Sequence, residues 1–311
     1  MQQGEKSLQL RSTSKINLLL EILYRRVDGY HQVHTVLQEL AFSDIVELKD
    51  ISGNEIIFYC NREELPPKEG NLAYEAASLL KSLYAPRRGV EITLYKHIPV
   101  SAGLGGGSSN AAAVLKGLNK LWGLSLQEKH LLEIAARLGS DVPFFLFGGT
   151  AAAEGRGEII TPLPDFPSSK VLLVIPPGAA LSTKRVYNSL SLEKIRRSAV
   201  NSTFTRQFIR RLHAVDKTYP GWGENLTDLF INQMEQAVFK LETEVKFLKE
   251  RLLKENVAAL VSGSGPTVFA LTREEGKLAE LQDKLSSEGY TVILTETKTA
   301  QQSRNFEEGA K

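Results

Sequence analysis

The stretch from Pro99 to Ala113 holds the ingredients of an anion seat. Gly103, Gly105, Gly106 and Gly107 stand in front of Ser108, Ser109 and a helix-forming run, with Leu104 between the first two glycines. Glycine admits positive φ and lets other atoms approach closely. A helix start presents N–H groups without carbonyl partners and the positive end of a dipole. Together these predict a seat for a polyphosphate over 103–109. Phosphoryl transfer there would also need a group that accepts the proton of the attacking hydroxyl. Asp141 is the candidate: it stands between Gly139 and Pro143, before an apolar run. Desolvation by such a wall favours the protonated acid, and a neighbouring cation opposes that. Lys15, in an otherwise apolar segment, is the candidate cation. Plainer readings stand beside both: Asp141 as a cap for a following short helix, Lys15 as a strand-edge lysine reaching for water.

The elements around the loop agree with this chemistry. Val90, Ile92 and Leu94 alternate with Glu91, Thr93 and Tyr95, a strand signal. Ala111, Ala112, Val114, Leu115, Leu118 and Leu121 follow at helical spacing, with Gly123 as the stop and Ser108 or Ser109 as the cap. The order is therefore strand, glycine loop, helix. No Lys follows the last glycine, which excludes a Walker A loop. Counting from Gly103 and Gly105, the third position of a dinucleotide fingerprint is Ser108, and Pro99 interrupts the approach from the strand.

Elsewhere the patterning predicts a buried strand over 15–23, a turn at Asp28-Gly29, and strand or short helix over 33–42. Strands are expected at 44–48 and 55–60, and a helix over 72–83. A helix over 125–138 carries a capping box of Ser125 and Glu128 and ends at Gly139. Past a Pro- and Ser-rich stretch at 162–169, strands are expected at 171–175, 257–261, 267–271 and 290–294. Helices are expected at 182–190, 204–212, 243–254 and 277–288. Strands and helices mix in both halves, an α+β pattern. The stretch 162–169 suggests two domains, 1–163 and 164–311. The ends, 1–7 and 301–311, read as loose tails. The stretch 195–221 is basic and fits no motif.

Composition narrows the class. With 311 residues, 42% hydrophobic and 24% charged, the chain has an ordinary globular make-up. A formal charge of +2 gives no reason to expect nucleic acid as a partner. The single cysteine, Cys60, permits neither an intrachain disulfide nor a thiolate cage and fits a reducing cytoplasm. The first fourteen residues are polar, so no secretory leader is expected. No run approaches the ~20 apolar residues of a membrane span. His31 and His34 could pair on a metal, but no third ligand is apparent, and the metal ligands stay open.

Pro99 to Ala112 resembles the second motif of the GHMP kinases, small-molecule kinases named for galactose, homoserine, mevalonate and phosphomevalonate. Ser14-Lys15-Ile16-Asn17 is similar to their first motif, and Val261-Ser262-Gly263-Ser264-Gly265-Pro266 to their third. Leu138-Gly139-Ser140-Asp141-Val142-Pro143 is similar to the segment that bears their catalytic aspartate. The triple glycine and Asp28-Gly29-Tyr30-His31 resemble one branch. That branch phosphorylates the tertiary 2-hydroxyl of 4-diphosphocytidyl-2-C-methyl-D-erythritol in non-mevalonate isoprenoid synthesis. The resemblance runs from about Ser14 to Thr295.

It implies a two-domain fold, a ribosomal-protein-like β/α half and a ferredoxin-like half, with the site in the cleft between. It implies ATP and accompanying Mg²⁺, with Asp141 taking the alcohol's proton and Lys15 steadying the charge. Asn71, Leu72 and Lys96 would lie by adenosine, and the loop from Pro99 to Ser109 by the phosphates. Asn17, Tyr30, His31, Tyr187, Gly263, Ser264 and Gly265 would hold the substrate, with Tyr30 stacked on cytosine and His31 reading its edge. One departure is Asn232-Gln233-Met234-Glu235, where the family often reads Asn-Asp-Leu-Glu. The substrate is a small molecule with a cytidine diphosphate group, and a homodimer is left open. Other readings are a homoserine- or mevalonate-type kinase, a non-catalytic nucleotide sensor of the same fold, or an RNA-binding module.

Overall fold

One long antiparallel hairpin organises the larger sheet: β1 (Ser7–Arg25) and β2 (His31–Ile51) flank the turn at Asp28-Gly29. In the computed structural model, residues 6–191, 204–214 and 227–305 are described. β1 is buried without interruption from Ser12 to Ile22. That burial on both faces explains why its sequence reads as a continuous apolar run rather than an alternation. Its start at Ser7 corrects the expectation of a loose tail through that residue; residues 1–5 lie outside the described set. The stretch 33–42, ambiguous in sequence, is strand throughout.

β3 (Ile56–Cys60), β4 (Gly89–Tyr95), β2, β1 and the short β8 (Ile231–Asn232) lie in that order. β5 (Thr150–Glu154) pairs with β2, and β6 (Ile159–Pro162) pairs with β5. One face of this sheet is covered by α1 (Leu72–Tyr84), α2 (Gly106–Leu121) and α3 (Glu128–Leu138). Leu10, Val46 and Leu48 pack there against Leu80, Leu115 and Leu118. A single helical turn, α4 (Phe144–Phe147), follows α3. The capping box at Ser125 does not form. Ser125 has φ 54°, and α3 starts at Glu128 behind Gln127, so the serine is too far back to serve the first turn.

The second sheet contains β7 (Lys170–Ile175), β9 (Ala258–Val261), β10 (Val268–Leu271) and β11 (Thr291–Glu296), all antiparallel in the order β11-β7-β10-β9. Between β7 and β9 the described helices are α5 (Thr183–Asn188), α6 (Phe204–Ala214), α7 (Glu235–Leu241) and α8 (Thr243–Lys254). α9 (Lys277–Ser287) joins β10 to β11. This β-α-β-β-α-β order is the split βαβ, ferredoxin-like arrangement. Ile16, Leu18, Leu19 and Val36 of the hairpin share a core with Leu173, Phe269 and Leu271 of the second sheet. β1 thus lies between the two layers, and β8 pairs parallel with its buried centre.

Two further expectations change. The chain does not loosen at 301: α10 (Ala300–Asn305) packs on the body, and 306–311 lie outside the described residues. Within the basic stretch 195–221 only 204–214 is described. There α6 buries Phe208 and Leu212 and exposes Arg206 and Arg210. Its first turn is docked by Glu21 of β1, whose carboxylate accepts from the Thr205 N–H and hydroxyl.

Candidate active site

The phosphate-type loop is built from close approaches. Gly105 sits in the left-handed region (φ 71°, ψ 12°) at the head of α2, which begins at Gly106. Gly103 also has positive φ (76°), and a Cβ there would lie 2.2 Å from the Ser262 carbonyl oxygen. A side chain at either position would be strained and, at Gly103, obstructed by backbone. Since the helix starts at Gly106, neither serine caps it, correcting the sequence expectation. Both lie in the first turn, one residue apart and so on different sides. Ser108 faces the cleft. Ser109 does not: its hydroxyl accepts from Ser12 (2.9 Å) inside the protein and its N–H donates to the Gly105 carbonyl (2.9 Å).

Behind the loop is a residue that sequence reasoning missed. Asp44 of β2 is fully buried, and its carboxylate accepts from the N–H groups of His97 and Ile98 (both 2.7 Å). It also accepts from the Asn110 amide (2.8 Å) and from the Lys96 ammonium. One carboxylate thus ties the chain entering the loop to the helix leaving it. Burial pulls the Lys96 ammonium below its ordinary lysine value, and Asp44 opposes that pull. The available signal was an acid set between two short apolar runs, Leu40-Ala41-Phe42 and Ile45-Val46.

Lys15 and Asn17 share one face of β1, as residues two apart must. Register shifts at Thr13/Ser14 and Asn17/Leu19 flank them. Such bulges re-aim side chains. The Lys15 ammonium donates to the Asn17 side-chain oxygen (2.6 Å) and lies 3.8 Å from Asp141 Oδ2. The lysine side chain is 5% exposed and the aspartate 39%, so the acid faces the cleft while the cation is sunk behind it. Burial lowers the Lys15 pKa, and the charge of Asp141 works against that shift. The capping and water-seeking readings do not describe these two: Pro143 precedes α4, and Lys15 is buried.

The second glycine loop closes from the other sheet. A Cβ on Gly263 would lie 3.2 Å from Asn17 Oδ1 and 3.3 Å from Lys15 Nζ. Ser262 Oγ donates to the Gly103 carbonyl (2.9 Å) and Thr267 Oγ1 to the Ala102 carbonyl (2.6 Å), joining the two loops directly. Asn232, to which the sequence assigns no role, donates to the carbonyls of Val261 (2.9 Å) and Gly263 (2.7 Å). Gln233, where the family often has an acid, accepts from the Ile22 N–H (2.6 Å). An amide there still serves the β1 backbone.

One cleft of about 370 Å³ collects most of the residues singled out in sequence. Asn71, Leu72, Lys96 and Pro99 line its wall, and Asn71 also caps α1 through a bond from the Ala73 N–H (3.1 Å). The loop from Gly103 to Ser108, Lys15, Asn17, Asp141, Tyr187, Gly263 and Ser264 complete it. Ser109, Tyr30, His31 and Gly265 do not line this cleft. His31 stacks on Tyr187, with ring centroids 5.0 Å apart and planes at 20°, and so extends the wall that Tyr187 begins. Burial, with Arg25 adding, holds the His31 imidazole below its ordinary pKa. Burial and the nearby Asp141 hold the Tyr187 phenol well above its usual value. Tyr30 is half-exposed, and the Arg156 guanidinium lies 4.9 Å from its ring centroid. A glycine-rich helix start, a carboxylate and an aromatic side chain therefore open onto one space.

Two family models match: GHMP kinases N-terminal domain over residues 71–149 and GHMP kinases C-terminal over 211–291. A 4-diphosphocytidyl-2-C-methyl-D-erythritol kinase of Geobacillus kaustophilus is 41% identical over 280 residues, 89% of this chain and 92% of that protein. One of Shouchella clausii is 39% identical over 292 residues, 93% of this chain and 94% of that one. The crystal structure of a 4-(cytidine 5'-diphospho)-2C-methyl-D-erythritol kinase superposes with TM-score 0.73 at 29% identity, covering 93% of this chain and 98% of that one. A homoserine kinase from Cytophaga hutchinsonii shares the fold, with TM-score 0.70 at 19% identity over 97% of this chain and 98% of that one. With the motifs in order, both sheets in place and relatives matched over nine-tenths of its length, the chain belongs to the GHMP kinase family.

Proposed function

We propose that this chain transfers the γ-phosphoryl group of ATP to the tertiary 2-hydroxyl of 4-diphosphocytidyl-2-C-methyl-D-erythritol. The observation that carries the reading is the Lys15–Asp141 pair standing in the same cleft as the glycine loop and Tyr187. The relatives named above support the choice of substrate.

The first N–H groups of α2 receive the phosphates, because they lack intrahelical carbonyl partners and carry the positive end of the dipole. Asn71, Leu72 and Lys96 border the adenosine end. Asp141 takes the proton of the attacking hydroxyl. Lys15, desolvated beside Asp141, stabilises the alkoxide as it develops, at a place where water screens little. Asn17 fixes the lysine. Tyr187 offers a ring face to the cytosine, and His31 backs that ring.

Hard oxygen donors suit Mg²⁺, which keeps several waters and uses few protein ligands. Among the described residues no group of three or more His, Cys, Asp or Glu gathers as a dedicated cage. The Asp141 carboxylate and Ser108 hydroxyl both border the cleft and are of the right chemistry to hold an ion brought by the nucleotide. Such an ion neutralises phosphate charge.

The test is an assay of purified protein with ATP, Mg²⁺ and this substrate, read as formation of the 2-phosphate. No product from folded protein rejects the assignment. Asp141→Asn lowers turnover by about 10²–10⁴ while nucleotide still binds. Cytidine diphosphate competes with substrate, which a homoserine- or mevalonate-type site has no reason to allow.

A further inference from the structure

The C-terminal segment makes a set of buried polar contacts that the reaction itself does not use. Their hub is Glu39 on β2, 2% exposed. Its carboxylate accepts from the Thr13 hydroxyl (2.7 Å), the Gly149 N–H (2.7 Å), the Ser303 hydroxyl (2.5 Å) and the Lys298 ammonium (3.2 Å). Its backbone repeats the links: Glu39 N–H donates to the Gly149 carbonyl and Lys298 N–H to the Glu39 carbonyl, both at 2.9 Å. Gln38 adds a bond to the Lys298 carbonyl (2.8 Å) and receives the Thr150 hydroxyl (2.6 Å).

The stretch gripped in this way ends the segment that carries Asp141. Its last two residues are glycines because the C-terminal segment passes so near. A Cβ on Gly148 would lie 2.1 Å from Ser303 Oγ, and one on Gly149 would lie 2.7 Å from the Ala300 nitrogen. On the opposite side the Phe145 ring abuts the first glycine loop, where a Cβ on Gly105 would lie 2.9 Å from it. The run from Asp141 to Gly149 is therefore held between the phosphate loop and residues 297–305. A fully satisfied buried network is stiff, since each partner lost leaves a desolvated polar group. Stiffness here matters because a displacement of about 1 Å in a reacting group can cost on the order of 10²-fold in rate.

We propose that residues 297–305 are a strap that fixes the Asp141–Gly149 segment, with Glu39 as the positioning residue that joins the two. Glu39 does not line the cleft that holds Lys15 and Asp141. Its effect on rate rests on the reading of Asp141 as proton acceptor, whereas its grip on the segment does not.

The test uses the full chain with Glu39→Gln and, separately, Ser303→Ala, which leaves the carboxylate paired to Lys298 and keeps the experiment open if the first variant does not fold. Hydrogen exchange is read over 141–149 and, for comparison, over the centres of β1 and β2, beside steady-state kinetics well below Tm. The strap predicts faster exchange confined to 141–149, with kcat reduced about tenfold in Glu39→Gln, less in Ser303→Ala, and KM for ATP within about twofold. Local exchange that rises while kcat stays at the wild-type value supports the strap and counts against Asp141 as acceptor. Unchanged exchange over 141–149 in a folded variant overturns the proposal, as does a uniform rise that includes β1 and β2.

Discussion

The two glycine loops face one another across the cleft, yet they are built on different principles. The loop at 103–107 ends in a sixteen-residue helix, so its amides come with a dipole and four N–H groups that helix geometry leaves open. It is backed by the buried Asp44–Lys96 pair. The loop at 263–265 joins two short antiparallel strands and has no helix behind it. Its position is borrowed, from Asn232 at its carbonyls and from Gly103 and Ala102 across the gap. The first loop presents open N–H groups at a helix start; the second is a wall whose location depends on its neighbours. Lys15 belongs to both, lying against Gly105 through its Cγ and against Gly263 through its ammonium.

Asp44→Asn attacks the support of the first loop and should have the largest effect. It leaves the Lys96 ammonium buried without a full counter-charge, expected to cost about 3–5 kcal/mol in denaturant unfolding. Asp44→Asn with Lys96→Met removes both charges and should recover most of that loss. A single variant as stable as the wild type would mean the loop does not depend on this pair.

Lys15→Met tests the member shared by both loops, with a fall in turnover of about 10²–10³ expected. Stability moves the other way. Because the folded protein lowers the Lys15 pKa below 10.5, the unfolded chain binds more protons between the lowered value and 10.5. Lys15 therefore destabilises the fold at neutral pH, and this cost fades as pH rises through that window. The Met variant should be more stable than the wild type at pH 7, with the gap closing toward pH 10.5. A gap that widened would reverse the sign of the argument.

Gly103→Ala strikes the junction of the loops, where φ is positive and Ser262 backbone already occupies the space. Steady-state kinetics should show roughly a 10²-fold loss in kcat/KM from misplacement of this kind. Gly107→Ala is the contrast within the same loop: its Cβ would meet only Leu72, at 3.8 Å, so an effect below about 1 kcal/mol is expected. Asn232→Ala should loosen the second loop alone. It should cost about 1–3 kcal/mol for the two carbonyls left behind and raise KM for substrate more than KM for ATP.

Much of this was legible before any coordinates. The strand, glycine loop and helix come in the order that the apolar spacing from Val90 to Leu121 predicts. Lys15 and Asp141 stood out because charge is rare in apolar surroundings, and the fold sets them 3.8 Å apart. Errors came where one residue of register decides. Ser108 and Ser109 look equivalent in sequence, but a helix starting at Gly106 rather than after the serines turns one to the cleft and the other to Ser12. Ser125 failed as a cap for a similar reason, with its helix starting two residues later than a box would need. Asp44 and Glu39 are not singled out by sequence, and Asn232 receives no role from it, because their partners lie far away in the chain.

Local rules act over a few residues, so the amino-acid order alone established the glycine cradle, its helix, the two charged residues and the α+β alternation. Which polar groups meet is a matter of long-range closure: Glu39 reaches Lys298, Asp44 reaches Asn110, and Ser262 reaches Gly103. Only packing of the two sheets against β1 brings those atoms within bonding distance. A buried polar group must find a partner, but its own sequence neighbourhood does not say which.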